Sequence, residues 1–260
     1  MRILATNDDG IEAPGLWAMV HELQGVGDVR VVAPRQEKSG AGTSISLRRP
    51  IHVEKVAPHP SGIESYAVEG TPGDGVIIAI RALFPGETDL VVSGINRGLN
   101  IGSDVYVSGT VGAAMQAYLH GVTALAISVD GYHDVNFSVA AKLAAVLAAK
   151  FRDRLLPERI LLNANLPNVS LDEIGGVEVT SLSKQTYCDT VLRDEGEGDT
   201  SYRIVHCEDF GQGGVGSDLW ALQTGRISLT RLPDGLPSEP LLQRLQALAP
   251  TIHSELHGLT

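Results

Sequence analysis

Two cysteines, Cys188 and Cys207, are all that 260 residues contain, which excludes a disulfide framework and a cysteine-rich zinc site. Positive charge is scarce as well: 20 Lys and Arg stand against 31 Asp and Glu, for a formal charge of -11. A surface of that sign does not attract a nucleic-acid polymer or an anionic membrane. No apolar run reaches the roughly 18 residues that a membrane span needs. No secretory leader precedes the first apolar run, so a cytoplasmic protein is expected. Missing too is the G-x-G-x-x-G fingerprint of dinucleotide sites. Gly40 and Gly42 follow the second apolar run rather than the first, and no third glycine keeps the spacing. Internal repeats and low-complexity tracts are absent.

What is there is an ordinary soluble composition, 43% hydrophobic and 20% charged, long enough for one large core or a core with an appendage. Ile3-Leu4-Ala5 reads as a short buried parallel strand. Pro14 stands near a helix start, followed by Leu16, Val20 and Leu23 at helical spacing, with Trp17 and Met19 packing beside them. Asp28 to Pro34 reads as a second strand, and strand–helix–strand opens a parallel sheet. Alternation at Ile45-Ser46-Leu47, Ile51-His52-Val53 and Tyr66-Ala67-Val68, broken by Pro58, Pro60 and Gly62, predicts a β-hairpin excursion over about residues 45–70. Then come a helical stretch over Val76 to Leu83, a strand over Asp89 to Gly94 and a helix opening at Ser108. A strand over Ala124 to Val129, a helix from about Asn136 to Lys150 and a strand over Arg159 to Pro167 complete a core of residues 1–170.

Beyond it, Val177 to Leu182 and Tyr202 to His206 are expected to bracket the acidic loop Asp194 to Asp199. Arg226 to Thr230 alternates like a half-exposed strand, and Leu241, Leu242, Leu245, Leu248 and Ile252 stripe a final helix. Residues 171–260 therefore read as a β-rich arm and helix that complete the domain and pair with another subunit. A lid or edge of the same molecule is the alternative. The fold class is α/β: a mostly parallel sheet with helices on both faces, plus a C-terminal β-hairpin arm and terminal helix.

The chemistry concentrates where Thr6-Asn7-Asp8-Asp9-Gly10 ends the first strand. In open α/β sheets ligands sit outside the carboxyl ends of the strands. Two adjacent carboxylates repel and call for a cation or a proton between them. Successive strand side chains face opposite ways, so both serve one site only if the chain leaves the extended form, which Gly10 eases. The loop after the second strand brings Ser39 and Gly40 to the same rim, and the loop after Val92-Ser93-Gly94 brings Asn96. Asp8, Asp9, Ser39 and Asn96 are a hard-oxygen set without His or Cys, suited to Mg²⁺, Mn²⁺ or Ca²⁺ and poorly to zinc. Two carboxylates balance one divalent cation. The helix start Ser108-Gly109-Thr110, the amides near Gly40 and the polar Asn7 are candidate contacts for phosphate oxygens, although Ser108 and Thr110 equally suit a plain helix cap. His133 and Asp134 form a further pair, read as solvated loop residues.

Thr6-Asn7-Asp8-Asp9-Gly10-Ile11 with Ala13-Pro14-Gly15 resembles the opening of the SurE family, metal-dependent nucleotidases also called survival proteins. Val32-Ala33-Pro34 with Lys38-Ser39-Gly40 is similar to its second motif, and so is Val92-Ser93-Gly94-Ile95-Asn96-Arg97-Gly98 with Asn100, Gly102 and Ser108-Gly109-Thr110-Val111. Gly70-Thr71-Pro72, Leu162 to Pro167 and Gly225 to Thr230 extend the resemblance to about residue 232. It implies a Rossmann-like core and hydrolysis of nucleoside 5′-monophosphates, with 3′-monophosphates as further substrates. By motif position it gives one divalent cation per subunit to Asp8, Asp9, Ser39 and Asn96. It also implies a homodimer or homotetramer built partly by exchange of C-terminal elements. The chain departs from the family at Gly73-Asp74-Gly75, where Ala-Asp-Cys is usual, and at Arg226 to Leu232.

Two other readings share the scaffold. An aspartyl-phosphate phosphatase uses a carboxylate as nucleophile, but presents two aspartates separated by one residue, and here they are adjacent. A non-catalytic nucleotide or phosphate sensor would bind with metal and release no phosphate.

Overall fold

The computed structural model describes residues 1–57, 62–184, 189–195, 200–206, 211–232 and 239–258. Cys188 and Cys207 lie outside them. A nine-stranded sheet runs through the molecule, built from β1 (Arg2–Thr6), β2 (Asp28–Pro34), β3 (Val53–Lys55), β4 (Ser65–Val68), β5 (Leu90–Arg97), β6 (Thr123–Val129), β7 (Leu161–Leu166), β8 (Val177–Thr180) and a later strand, β11 (Ile227–Leu232). Its order is β3-β4-β2-β1-β5-β6-β7-β11-β8. The strands from β4 to β7 are parallel neighbours. β3 is antiparallel to β4, and β11 enters antiparallel to β7 and parallel to β8.

Side chains alternate across the strands, so each face has its own core. Ile3 and Ala5 of β1 join one apolar cluster with α1 (Pro14–Leu23), α4 (Ser138–Arg152) and the terminal helix α6 (Glu239–Gly258). Leu4 points into the other, under α2 (Pro72–Ile78) and α3 (Gly109–Leu119). The expected helices on both faces are present. α6 presents Leu245, Ala249, Ile252 and Leu256 to this core, so the helix packs on its own subunit. Leu241 and Leu242 of the expected stripe have side chains outside the described ones.

Three expectations need correcting. The hairpin of residues 45–70 is β3–β4, but β4 lies parallel to β2, which makes the pair the edge of the main sheet rather than an excursion from it. Ile45-Ser46-Leu47 takes no part. Ser46 N donates to the Asp74 carboxylate at 2.7 Å, tying this stretch to the start of α2. The same Asp74 forms a capping box with Thr71. Second, Val177 to Leu182 does not flank the acidic loop. Its first part is β8 in the main sheet, and β10 (Thr200–His206) pairs instead with β9 (Asp189–Glu195) in a separate two-stranded sheet. Third, β11 is buried rather than half-exposed: it runs inside the sheet between β7 and β8, and Ile227 and Leu229 enter the apolar cluster shared with α4 and α6.

Candidate metal and phosphate site

The turn after β1 is made by Asn7. Its Nδ2 donates to Gly10 O at 2.9 Å and its Oδ1 accepts from Gly10 N at 3.2 Å. Gly10 has φ +104°, a conformation that L side chains rarely adopt. Asn7 is fully buried with its amide committed to this loop, so in this fold it shapes the bend that lets Asp8 and Asp9 serve one place.

Asp8 is 3% exposed and reaches the first turn of α3, where the Thr110 hydroxyl donates to its Oδ1. Ser108 caps the same helix by accepting from Val111 N at 3.1 Å. Burial pushes the Asp8 carboxyl above the ordinary range, against the hydroxyl and backbone donors of Thr110. Asp9 is half-buried beside Arg97, whose backbone N–H and charge both reach it. Its pKa is pushed up to about 6, by burial first and then by the charge of Asp8.

The loop after β2 arrives by main chain, Lys38 N donating to Asp8 O at 2.7 Å. Ser39 and Gly40 are exposed there, and the Ser39 hydroxyl donates to Glu37 Oε1 at 2.7 Å. Glu37, not singled out from the sequence, raises both aspartates and makes the rim more negative. In β5 the register with β6 shifts between Ser93 and Asn96, a bulge that re-aims the strand end. Asn96 Nδ2 donates to Gly98 O at 2.8 Å, so oxygen is the atom this amide has to offer. Gly15 lets α1 approach that bulge: a Cβ there would lie 2.4 Å from Ile95 O.

The structure thus brings Asp8 against Gly109 and Thr110, Asp9 beside Arg97 and the main chain of Lys38 onto Asp8, with Asn96 next to Arg97 in sequence, while the Ser39 hydroxyl is bonded to Glu37. The donors fit a hard divalent cation: two carboxylates that burial drives toward protonation, with an amide oxygen and a hydroxyl alongside. Among the described residues, no group of three or more His, Cys, Asp or Glu is placed to hold a metal ion.

The sequence did not reveal what holds the neighbouring loop. Asn100 N donates to Asn165 Oδ1 at 2.8 Å, and Asn163 Nδ2 donates to Asn100 O at 2.7 Å. Asp218, fully buried at the start of α5 (Asp218–Gln223), accepts from Gly102 N at 2.8 Å and from Ser183 N at 2.8 Å. His133 and Asp134 sit in an exposed loop.

A mostly parallel sheet with buried oxygen donors where its first strand ends defines an α/β scaffold whose carboxyl rim is the candidate site. Comparison with known proteins narrows the class. A family model described as "Survival protein SurE" matches residues 3–189. The 5'-nucleotidase SurE of Dehalococcoides mccartyi strain CBDB1 is 42% identical over 245 residues, covering 93% of this chain and 92% of the relative. That of Geobacter sulfurreducens is 41% identical over 249 residues, 95% of this chain and 93% of the relative. The crystal structure of the SurE protein from Aquifex aeolicus superposes with a TM-score of 0.77 at 32% identity, covering 95% of this chain and 99% of that one. The chain belongs to the SurE family.

Proposed function

We propose that this protein hydrolyses nucleoside 5′-monophosphates, and 3′-monophosphates as secondary substrates, to nucleoside and phosphate, using one Mg²⁺ or Mn²⁺ per subunit. Relatives about 40% identical over nine-tenths of the chain are named as 5'-nucleotidases, which supports the reaction class. The single observation that carries the mechanism is the buried Asp8 seated on the first turn of α3, with the charge of Asp9 next to it.

Asp8, Asp9, Ser39 and Asn96 would hold the cation. When bound, it screens the ester oxygens and makes a water acidic enough to attack phosphorus at neutral pH. Thr110 keeps Asp8 aimed into the rim by its hydroxyl bond. Asn7 fixes the bend. The loop main chain at Gly40 and the helix start at Ser108 and Gly109 would take phosphate oxygens. Adjacent rather than alternate aspartates favour attack by water over a phosphoaspartate.

The β9–β10 hairpin supports a homodimer or homotetramer: Val191, Leu192, Tyr202 and Ile204 are 49–68% exposed on a two-stranded ribbon, and such a ribbon alone is marginally stable. No helix among the described residues is long and apolar enough to cross a membrane, and we place the enzyme in the cytoplasm. The test is phosphate release across a panel of 5′- and 3′-monophosphates with Mg²⁺, Mn²⁺ or chelator. Saturable binding without release would turn the reading to a sensor, and full turnover after exhaustive metal stripping would end the metal mechanism.

A further inference from the structure

The metal and phosphate side of the rim accounts for half of a nucleotide, and two exposed aromatic rings lie beside it, Tyr132 and, just before the start of α3, Tyr106. β6 ends at Val129, whose carbonyl accepts from Gly98 N at 2.8 Å. Asp130 N is held by Leu166 O at 2.9 Å, and Gly131, at φ +93°, turns the chain back toward the site. This brings Tyr132 onto Gly98. A Cβ at Gly98 would lie 2.9 Å from Tyr132 Cε1 and 3.1 Å from its Oη, so the ring occupies the place of the missing side chain. Gly98 is also the residue whose carbonyl anchors Asn96. Tyr132 is nevertheless 58% exposed, so the ring keeps an open part on the rim. On the other flank Lys38 N to Asp8 O and Gly42 N to Val107 O hold the loop after β2, and Tyr106 beside Gly42 is 73% exposed but does not pack on Gly98.

We propose that Tyr132 is the platform on which the substrate's nucleobase stacks, making it a specificity-determining residue. The proposal rests on the nucleotidase reading above and extends it to the base. Every base has a π-face, so an aromatic platform tolerates all of them and holds purines more tightly than pyrimidines through their larger stacking surface. It acts on binding rather than on the reacting atoms.

The experiment compares wild type, Tyr132→Ala, Tyr132→Phe and Tyr106→Ala on adenosine 5′-monophosphate, uridine 5′-monophosphate and ribose 5-phosphate, with Mg²⁺ or Mn²⁺. Tyr132→Ala should raise KM for the adenosine substrate about tenfold. The rise should be smaller for the uridine substrate and absent for ribose 5-phosphate, with kcat little changed. Tyr132→Phe, which keeps the ring, should restore the wild-type KM. An equal KM rise on all three substrates would make Tyr132 merely a support for Gly98 and overturn the proposal. So would an unchanged KM in Tyr132→Ala, or a nucleotide-selective loss in Tyr106→Ala alone. If wild type turns over none of the three, the nucleotidase reading fails. Equilibrium binding of adenosine 5′-monophosphate to wild type and Tyr132→Ala then decides the platform separately, equal affinities overturning it.

Discussion

Asp8 fills the space that a side chain at Gly109 would need. A Cβ on Gly109 would lie 2.7 Å from Asp8 Oδ2 and 2.8 Å from Asp8 Cβ. The glycine that opens α3 is thus the reason an aspartate fits against the first turn of that helix, where backbone donors and the partial positive charge lie.

Gly109→Ala should therefore push Asp8 off its seat while the helix survives, since alanine is a good helix former. Misplacement of a catalytic group by about 1 Å costs on the order of 100-fold. We expect kcat/KM for phosphate release to fall by roughly that factor, with circular dichroism unchanged. Gly40→Ala is the contrast. Nothing lies within 4 Å of a Cβ there, and only its φ of +73° resists, so about 1 kcal/mol of stability is lost without contact with Asp8. Equal activity of Gly109→Ala and wild type would show that the position of Asp8 does not matter.

Metal binding should be visible without turnover. A cation that binds only the folded chain stabilises it by about 2.7 kcal/mol at 100 times its Kd. Tm of chelator-treated protein should rise on adding Mn²⁺ or Mg²⁺. The rise should vanish in Asp8→Asn and shrink in Asn96→Ala, which removes one oxygen but neither carboxylate. A metal-induced rise of wild-type size in Asp8→Asn would remove that residue from the ligand set.

Much of this site was legible because its parts are local. An apolar run ending in Asp-Asp-Gly places carboxylates at a strand end, and Ser108-Gly109-Thr110 places a helix start. The partners of those groups were not legible, because they come from far along the chain. Thr110 and Asp8 are 102 residues apart, and Gly102 and Asp218 are 116 apart. The buried polar side chain of Asp218 gives no periodic signal. In the fold, the parallel half followed from strand–helix alternation, whereas the insertion of β11 between β7 and β8 has no counterpart in local pattern. β9 was hidden because Asp189 to Glu195 carries charges at both ends, and pairing with β10, not burial, makes it a strand.

The hairpin carries the third prediction. Val191 and Ile204 are opposite one another, so their side chains share one face of the ribbon, as do Arg193 and Tyr202. If that face docks on another subunit, Val191→Asp with Ile204→Asp places two like charges side by side in an apolar contact. The double variant should elute from a sizing column as a smaller species than wild type, with its Tm dependent less on protein concentration. An unchanged elution volume would leave the exposed face without a part in assembly.

The last prediction concerns the opposite end of the same strands. Asp89, just before β5, accepts from Arg2 N at 2.7 Å and from Arg2 Nη2 at 2.7 Å, joining the starts of β1 and β5. Hydrogen bonds from the Arg2 side chain hold the Asp89 carboxyl below its usual value of 3.8. A depressed native pKa means that the unfolded chain binds protons first as pH falls, so the stability from this pair is complete above about pH 4 and lost below it. The side chains are 41% and 37% exposed, so solvent screens the pair and its contribution is small. Asp89→Asn should thus lower the urea midpoint at pH 7, and the gap between variant and wild type should narrow as pH drops below 4. A gap that stays constant from pH 7 to pH 3 would mean that Asp89 acts by hydrogen bonding alone and not by charge.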